Sequence, residues 1–181
     1  MRSIKKIIKK SIGTKDIQKA VGAFLYSKGY SPIVFNFLFD TGHECDVLGV
    51  SRAGYMYEYE VKISRADFKK DFEKRYKHNN MAARKSLFSN GRYVCPNYFY
   101  YVVPEGLVSI EEIPEYAGLI QIDPFSIQFI EAKSPAKIHA HKADDRMIKK
   151  IAHSLSCKFI FSDVTINQGP LIKDESQLFL F

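Results

Sequence analysis

Glu44-Cys45-Asp46-Val47-Leu48-Gly49-Val50-Ser51-Arg52-Ala53-Gly54-Tyr55-Met56-Tyr57-Glu58-Tyr59-Glu60-Val61-Lys62-Ile63-Ser64-Arg65-Ala66-Asp67 sets two β-rich runs on either side of the break Arg52-Ala53-Gly54. A three-residue hairpin loop with Gly in the left-handed position suits that break and pairs Ser51 with Tyr55. Continuing the register inward sets Asp46 opposite Glu60, and Glu44 opposite Lys62. Period-two alternation then places Met56, Glu58, Glu60 and Lys62 on one face of the second strand. Tyr55, Tyr57, Tyr59, Val61 and Ile63 take the other. The aromatic face is suited to packing and the charged face to chemistry.

Two carboxylates directly opposite each other on a sheet repel, and partial burial removes the water that screens them. A divalent cation would relieve the conflict. All-oxygen ligation by Asp46, Glu60 and the Val61 carbonyl suits a hard ion, Mg²⁺ or Mn²⁺, that keeps waters for a substrate phosphate. Lys62, one pleat further on the same face, could orient an attacking water and stabilise charge developing on the phosphate. The catalytic candidates are therefore Asp46, Glu60 and Lys62, and the reaction class they suit is phosphodiester hydrolysis.

Around this hairpin, Thr14 can cap a helix to Lys28 whose apolar stripe is Ile17, Val21, Phe24 and Leu25, ended by Gly29. Ile33 to Phe39 reads as a strand. Ser64 and Asp67 mark the start of a helix reaching His78, with Phe68, Phe72 and Tyr76 as the buried stripe and Lys70, Lys74 and Lys77 opposite. Since this helix begins two residues after Lys62, those three lysines are the candidate DNA-phosphate contacts. Asn97–Val103, Leu119–Ile122 and Ser126–Glu131 read as strands, and residues 132–142 as a connecting loop. Asp144 and Asp145 open a helix packed through Met147, Ile148, Ile151 and Leu155, with Phe159-Ile160-Phe161 as a further strand. This order predicts an α/β chain with a mixed central β-sheet flanked by helices.

The pattern D-x(13)-E-V-K on a hairpin, followed at once by a helix, resembles the PD-(D/E)xK nuclease superfamily. Ser64-Arg65-Ala66-Asp67-Phe68 after Glu-Val-Lys is similar to the branch typified by MmcB-type DNA repair proteins and related phage proteins. Asn97–Pro104 and Pro114–Ile120 look like that branch's later strands, so the similarity spans roughly residues 15 to 123. It implies a restriction-endonuclease-like core and Mg²⁺- or Mn²⁺-dependent hydrolysis of DNA in repair, recombination or phage DNA metabolism. Many members carry a Glu on the first helix near the metal, whereas this chain has no Glu before Glu44. Gln18 could occupy that place, or Glu44 or Glu58 could supply a third carboxylate.

The 181-residue chain is read as a single domain, with a core over about 14–131 and a C-terminal helix and tail over 132–181. A hydrophobic content of 46% against 26% charged residues excludes a largely disordered chain. A net charge of +7 favours a polyanionic partner such as DNA. Cys45, Cys95 and Cys157 lie far apart without zinc-ligand spacing, which suits a reducing cytoplasm, and the resemblance implies that of a bacterial or phage-infected cell. No run approaches membrane-spanning length. Residues 1–12 permit an amphipathic basic helix. His78, His139 and His141 are read as structural. The apolar end Leu178-Phe179-Leu180-Phe181 would dock back on the domain or bury against a copy of the chain or another protein. The rival readings are a catalytically weak DNA-binding module of a repair, replication or phage complex, and an interaction protein that binds no nucleic acid.

Overall fold

The computed structural model describes residues 13–88, 90–123 and 128–161; the basic N-terminal segment, the start of the Ser126–Glu131 run and the apolar end at Leu178–Phe181 lie outside them. Six strands form one mixed sheet in the order β1 to β6: β1 (Ile33–Leu38), β2 (Glu44–Val50), β3 (Met56–Val61), β4 (Tyr98–Pro104), β5 (Ala117–Ile122) and β6 (Phe129–Lys133). The pairs β1–β2, β2–β3 and β5–β6 are antiparallel, whereas β3–β4 and β4–β5 are parallel. Four helices, α1 (Thr14–Ser27), α2 (Arg65–Asp71), α3 (Arg75–Ala82) and α4 (Asp145–Phe161), flank it, so the chain is α/β with a mixed central sheet.

The β2–β3 turn is the expected one. Gly54 takes φ +82°, Gly54 N donates to Ser51 O at 2.8 Å, and Ser51 N donates to Tyr55 O at 2.9 Å. A side chain at that φ would be strained, which is why glycine stands there. The register follows, with Val47 opposite Tyr59, Leu48 opposite Glu58 and Val50 opposite Met56.

Alternation sorts the core into two sides. On one, Ile17, Val21 and Leu25 of α1 pack on Val47, Tyr59, Val61, Tyr100, Val102 and Ile120. Close approach is possible because Gly22 has no side chain; a Cβ there would meet the Phe35 ring at 2.5 Å. On the other side Phe68 and Met81 of α2 and α3 lie over Phe99, Tyr101 and Leu119, while Met147 and Ile151 of α4 lie over Val34, Leu48 and Met56. β4 is buried on both faces, and its continuous run Tyr98–Val103 is what a strand between parallel neighbours requires.

Three expectations need correction. Thr14 is the first residue of α1 and not its cap; Gly13 precedes the helix, and its N–H donates to Asp16 Oδ2 at 3.2 Å. The helix capped by Ser64, whose Oγ accepts from Asp67 N at 3.1 Å, stops at Asp71 and restarts at Arg75. This break rotates the second half, so Tyr76 is 54% exposed and Lys77 and His78 turn inward. The physical reason is charge: β3 presents two carboxylates to that helix layer, and an inward ammonium group balances them better than a tyrosine. Finally, Phe159–Phe161 form the last turn of α4 and no strand. The 3.6-residue period begun at Met147 simply continues through them.

Candidate active site

Glu58 and Glu60 project from β3 in the middle of the sheet, each in a lateral row with apolar neighbours. Glu58 lies between Leu48 and Phe99, and Glu60 beside Tyr101. Their side chains are 0% and 4% exposed. Burying carboxylates among such neighbours costs several kcal/mol each unless they are paired, and the pairing defines the site.

Asp46 is brought to the end of β3, where Val61 N–H donates to its Oδ2 at 2.7 Å. From the other side of the sheet, Gln18 Nε2 donates to Asp46 Oδ1 at 2.8 Å and reaches Asn36 Oδ1 at 3.3 Å. Asn36 adopts φ +48°, a left-handed conformation that Asn tolerates better than most side chains. Burial and the charge of Glu60 together push the Asp46 carboxyl above its ordinary range, against the Val61 amide, Lys62 and Gln18, which pull it down. Lys62 Nζ donates to Glu60 Oε1 at 2.7 Å and lies 3.3 Å from Asp71 Oδ1. Burial lowers the Lys62 ammonium, but the carboxylates of Glu60 and Asp71 outweigh it and hold the group charged above the usual lysine range.

Among the other residues singled out from sequence, Lys77 takes a different role from the one expected. Its side chain is 1% exposed, with Nζ 3.2 Å from Glu58 Oε1, 3.0 Å from Glu60 Oε2 and 3.8 Å from Asp71 Oδ2. A lysine so enclosed cannot reach a DNA phosphate; it is the internal counterion of the sheet carboxylates. Lys70 is exposed, and Lys74 is partly so, its Nζ lying 2.9 Å from Asp71 Oδ1 and 3.4 Å from Glu60 Oε1. Glu58 faces Lys77 and His43, whose Nε2 is 3.3 Å from Glu58 Oε2, so it belongs to the buried network and not to the mouth of the site. Burial pushes the Glu58 carboxyl up, and Lys77 and His43 more than reverse that. Glu44 is exposed at the start of β2 and makes no contact with Asp46 or Glu60 that would add a third carboxylate.

Two members of the cluster were not anticipated. Asp71, with its side chain fully buried, receives Tyr101 Oη–H at 2.8 Å and has His78 Nε2 at 3.2 Å. Burial raises its carboxyl, but the His78 hydrogen bond and the charges of Lys77 and Lys62 hold it far below the usual carboxylate range. The signal was present: an acid three residues after Phe68 and next to Phe72 falls inside the apolar stripe. His43 links Glu58 to Thr41, whose Oγ1 is 2.6 Å from His43 Nδ1; nothing in its turn sequence marks it. His78 Nδ1 meets Tyr116 Oη at 2.5 Å, and His139 contacts Cys95 O and Asn97, so both imidazoles are tied into the structure.

The donor set fits a hard cation in a restricted way. Among the described residues no group of three or more His, Cys, Asp or Glu side chains is arranged to hold a metal ion. A cation between Asp46 and Glu60 would therefore rest on two carboxylates, a backbone carbonyl and water, a ligand set that Mg²⁺ and Mn²⁺ accept. Each Asp46 oxygen spends one lone pair on its hydrogen bond and keeps another for a metal.

No family model matches the chain, and no curated protein matches it. Among solved structures, a protein of unknown function from Silicibacter pomeroyi, SPO1766, is similar with a TM-score of 0.61 and 19% sequence identity, over 86% of this chain and 94% of that one. At this identity the likeness shows the fold alone, and the fold it shares is the α/β mixed sheet described above.

Proposed function

We propose that the chain is a metal-dependent deoxyribonuclease of the PD-(D/E)xK type, hydrolysing phosphodiester bonds at Asp46, Glu60 and Lys62. The observation that carries this reading is that the Asp46 carboxylate is held by the amide of Val61, the residue between Glu60 and Lys62, while Lys62 is itself held on Glu60 at 2.7 Å. Asp46 and Glu60 would hold Mg²⁺ or Mn²⁺, which when bound supplies Lewis-acid polarisation of the phosphate and an acidified water. Gln18 fixes the Asp46 carboxylate in place of the first-helix Glu common in that superfamily. Lys62, charged, donates to the attacking water or to a non-bridging phosphate oxygen and offsets the negative charge that grows there. The positive charge of the chain and the exposed Lys70 and Lys74 favour holding the DNA backbone next to this point.

The test is cleavage of plasmid, duplex, branched and single-stranded DNA with Mg²⁺ or Mn²⁺ by wild type and Lys62→Ala. Cleavage that needs metal and disappears in the variant supports the reading. Equal inertness of both proteins across substrates and metals rejects it. A second reading, a DNA-binding module without cutting activity, is favoured by one observation: both Glu60 oxygens are already occupied by lysines, Oε1 by Lys62 and Lys74 and Oε2 by Lys77. Salt-sensitive DNA binding without metal-dependent cleavage selects it.

A further inference from the structure

Three lysines neutralise the three buried carboxylates Glu58, Glu60 and Asp71, but they are not equally fixed. Lys62 and Lys77 have side chains 7% and 1% exposed, whereas that of Lys74 is 48% exposed. Lys74 also sits at the break between α2 and α3, with only its ammonium group reaching back to the cluster. The atom it approaches most closely, Asp71 Oδ1, is buried without an aligned hydrogen bond, so the contact at 2.9 Å is electrostatic and weakly directional. An ammonium group held in that way at the solvent boundary exchanges readily for another cation.

Charge balance points the same way. Asp46, Glu58, Glu60 and Asp71 carry four negative charges, and Lys62, Lys74 and Lys77 carry three positive ones, the imidazoles counted as neutral. With Lys74 in place one net negative charge remains, and an ammonium group already stands at Glu60 Oε1 where a divalent cation would sit. With Lys74 withdrawn, two negative charges remain, which one divalent cation neutralises.

We infer that Lys74 is an exchangeable counterion: in the free protein it rests on Glu60 and Asp71, and a DNA backbone phosphate draws it outward, leaving Glu60 Oε1 open to the metal. This rests on the nuclease reading of the same site and specifies how substrate and metal are coupled there. By linkage the effect is reciprocal, so metal also strengthens the hold of Lys74 on DNA. Lys70, exposed on the same helical layer but without a contact to Glu60 or Asp71, shares the phosphate role and not the exchange.

The experiment is Mn²⁺ titration calorimetry on the full chain without DNA, for wild type, Lys74→Gln, Lys74→Arg and Lys70→Gln, beside duplex binding by fluorescence anisotropy in chelator. Thermal melts establish that each variant is folded. Lys74→Gln is expected to bind Mn²⁺ at least about fivefold tighter than wild type, because a positive charge a few ångströms from the cation is gone. Lys74→Arg stays near wild type. Lys70→Gln leaves Mn²⁺ affinity unchanged, while both Gln variants weaken DNA binding. If Lys74→Gln binds Mn²⁺ no more tightly than a wild type that does bind it, the exchange is wrong and the nuclease reading is untouched. If the tightening is seen but wild type cuts no DNA, the nuclease reading falls and the exchange stands. If no protein binds Mn²⁺, both fall.

Discussion

Replacing Lys77 by Met keeps the unbranched stem of the side chain and removes the ammonium group that lies within 3.2 Å of both Glu58 and Glu60. Glu58 then faces only His43, and Glu60 retains Lys62 and the partly exposed Lys74. Breaking a buried ion pair by deleting one partner costs about 3–5 kcal/mol, because the other charge is left in the interior. For a chain of this size that corresponds to a fall in melting temperature of about 6–20 °C. The loss depends on pH in a defined direction. Glu58 and Asp71 have depressed carboxyls in the folded protein, so they contribute stability above their unfolded values, near about pH 4, which is lost as pH falls through the folded values. Without Lys77 that depression is reduced, so the gap between wild type and variant holds from pH 7 down to about 4 and narrows below it, where the variant's carboxyls take up protons before those of wild type. Adding Glu58→Gln to Lys77→Met removes the stranded charge and restores at least half of the lost stability. Urea denaturation of the three proteins at several pH values measures all of this. If Lys77→Met unfolds within about 1 kcal/mol of wild type at pH 7, Lys77 is not the counterion of a buried cluster, and its assignment as a surface DNA contact must be reopened.

Asp46→Asn removes the charge that burial and Glu60 disfavour, so in chelator at pH 7 the variant should be as stable as wild type or more so. Mn²⁺ should raise the melting temperature of wild type and not of the variant; a variant that is markedly destabilised in chelator yet responds fully to Mn²⁺ makes Asp46 structural. Tyr59, 3% exposed beneath α1 and stacked on Tyr100 at 5.1 Å, should cost about 3–5 kcal/mol as Tyr59→Ala, and denaturant melts read this directly. Lys70→Gln with Lys74→Gln should leave the fold intact and reduce the slope of log affinity for DNA against log salt by about two. An unchanged slope shows a merely solvated face.

The hairpin was legible because its determinants are local. Gly54 supplies the positive φ, the alternation of Tyr57, Tyr59 and Val61 with Glu58 and Glu60 fixes the faces, and together they set the register that carries Asp46 to the amide of Val61, next to Glu60. The α/β class followed from the order of runs, and Gln18 could be suggested from one helix position. The helix break at Phe72–Lys74 could not be read, because Phe68, Phe72 and Tyr76 recur every fourth residue straight across it and the break serves a requirement outside the segment. That requirement is the pair of carboxylates on β3, and only packing α3 against the sheet shows that an inward lysine meets it. For the same reason Lys70, Lys74 and Lys77, which look alike in sequence, separate into an exposed, a boundary and a buried cation. Local patterns specify which side chains share a face. Whether a charge on that face meets water or another charge depends on what the rest of the chain lays over it, and here that decides which lysine is structural and which can meet a phosphate.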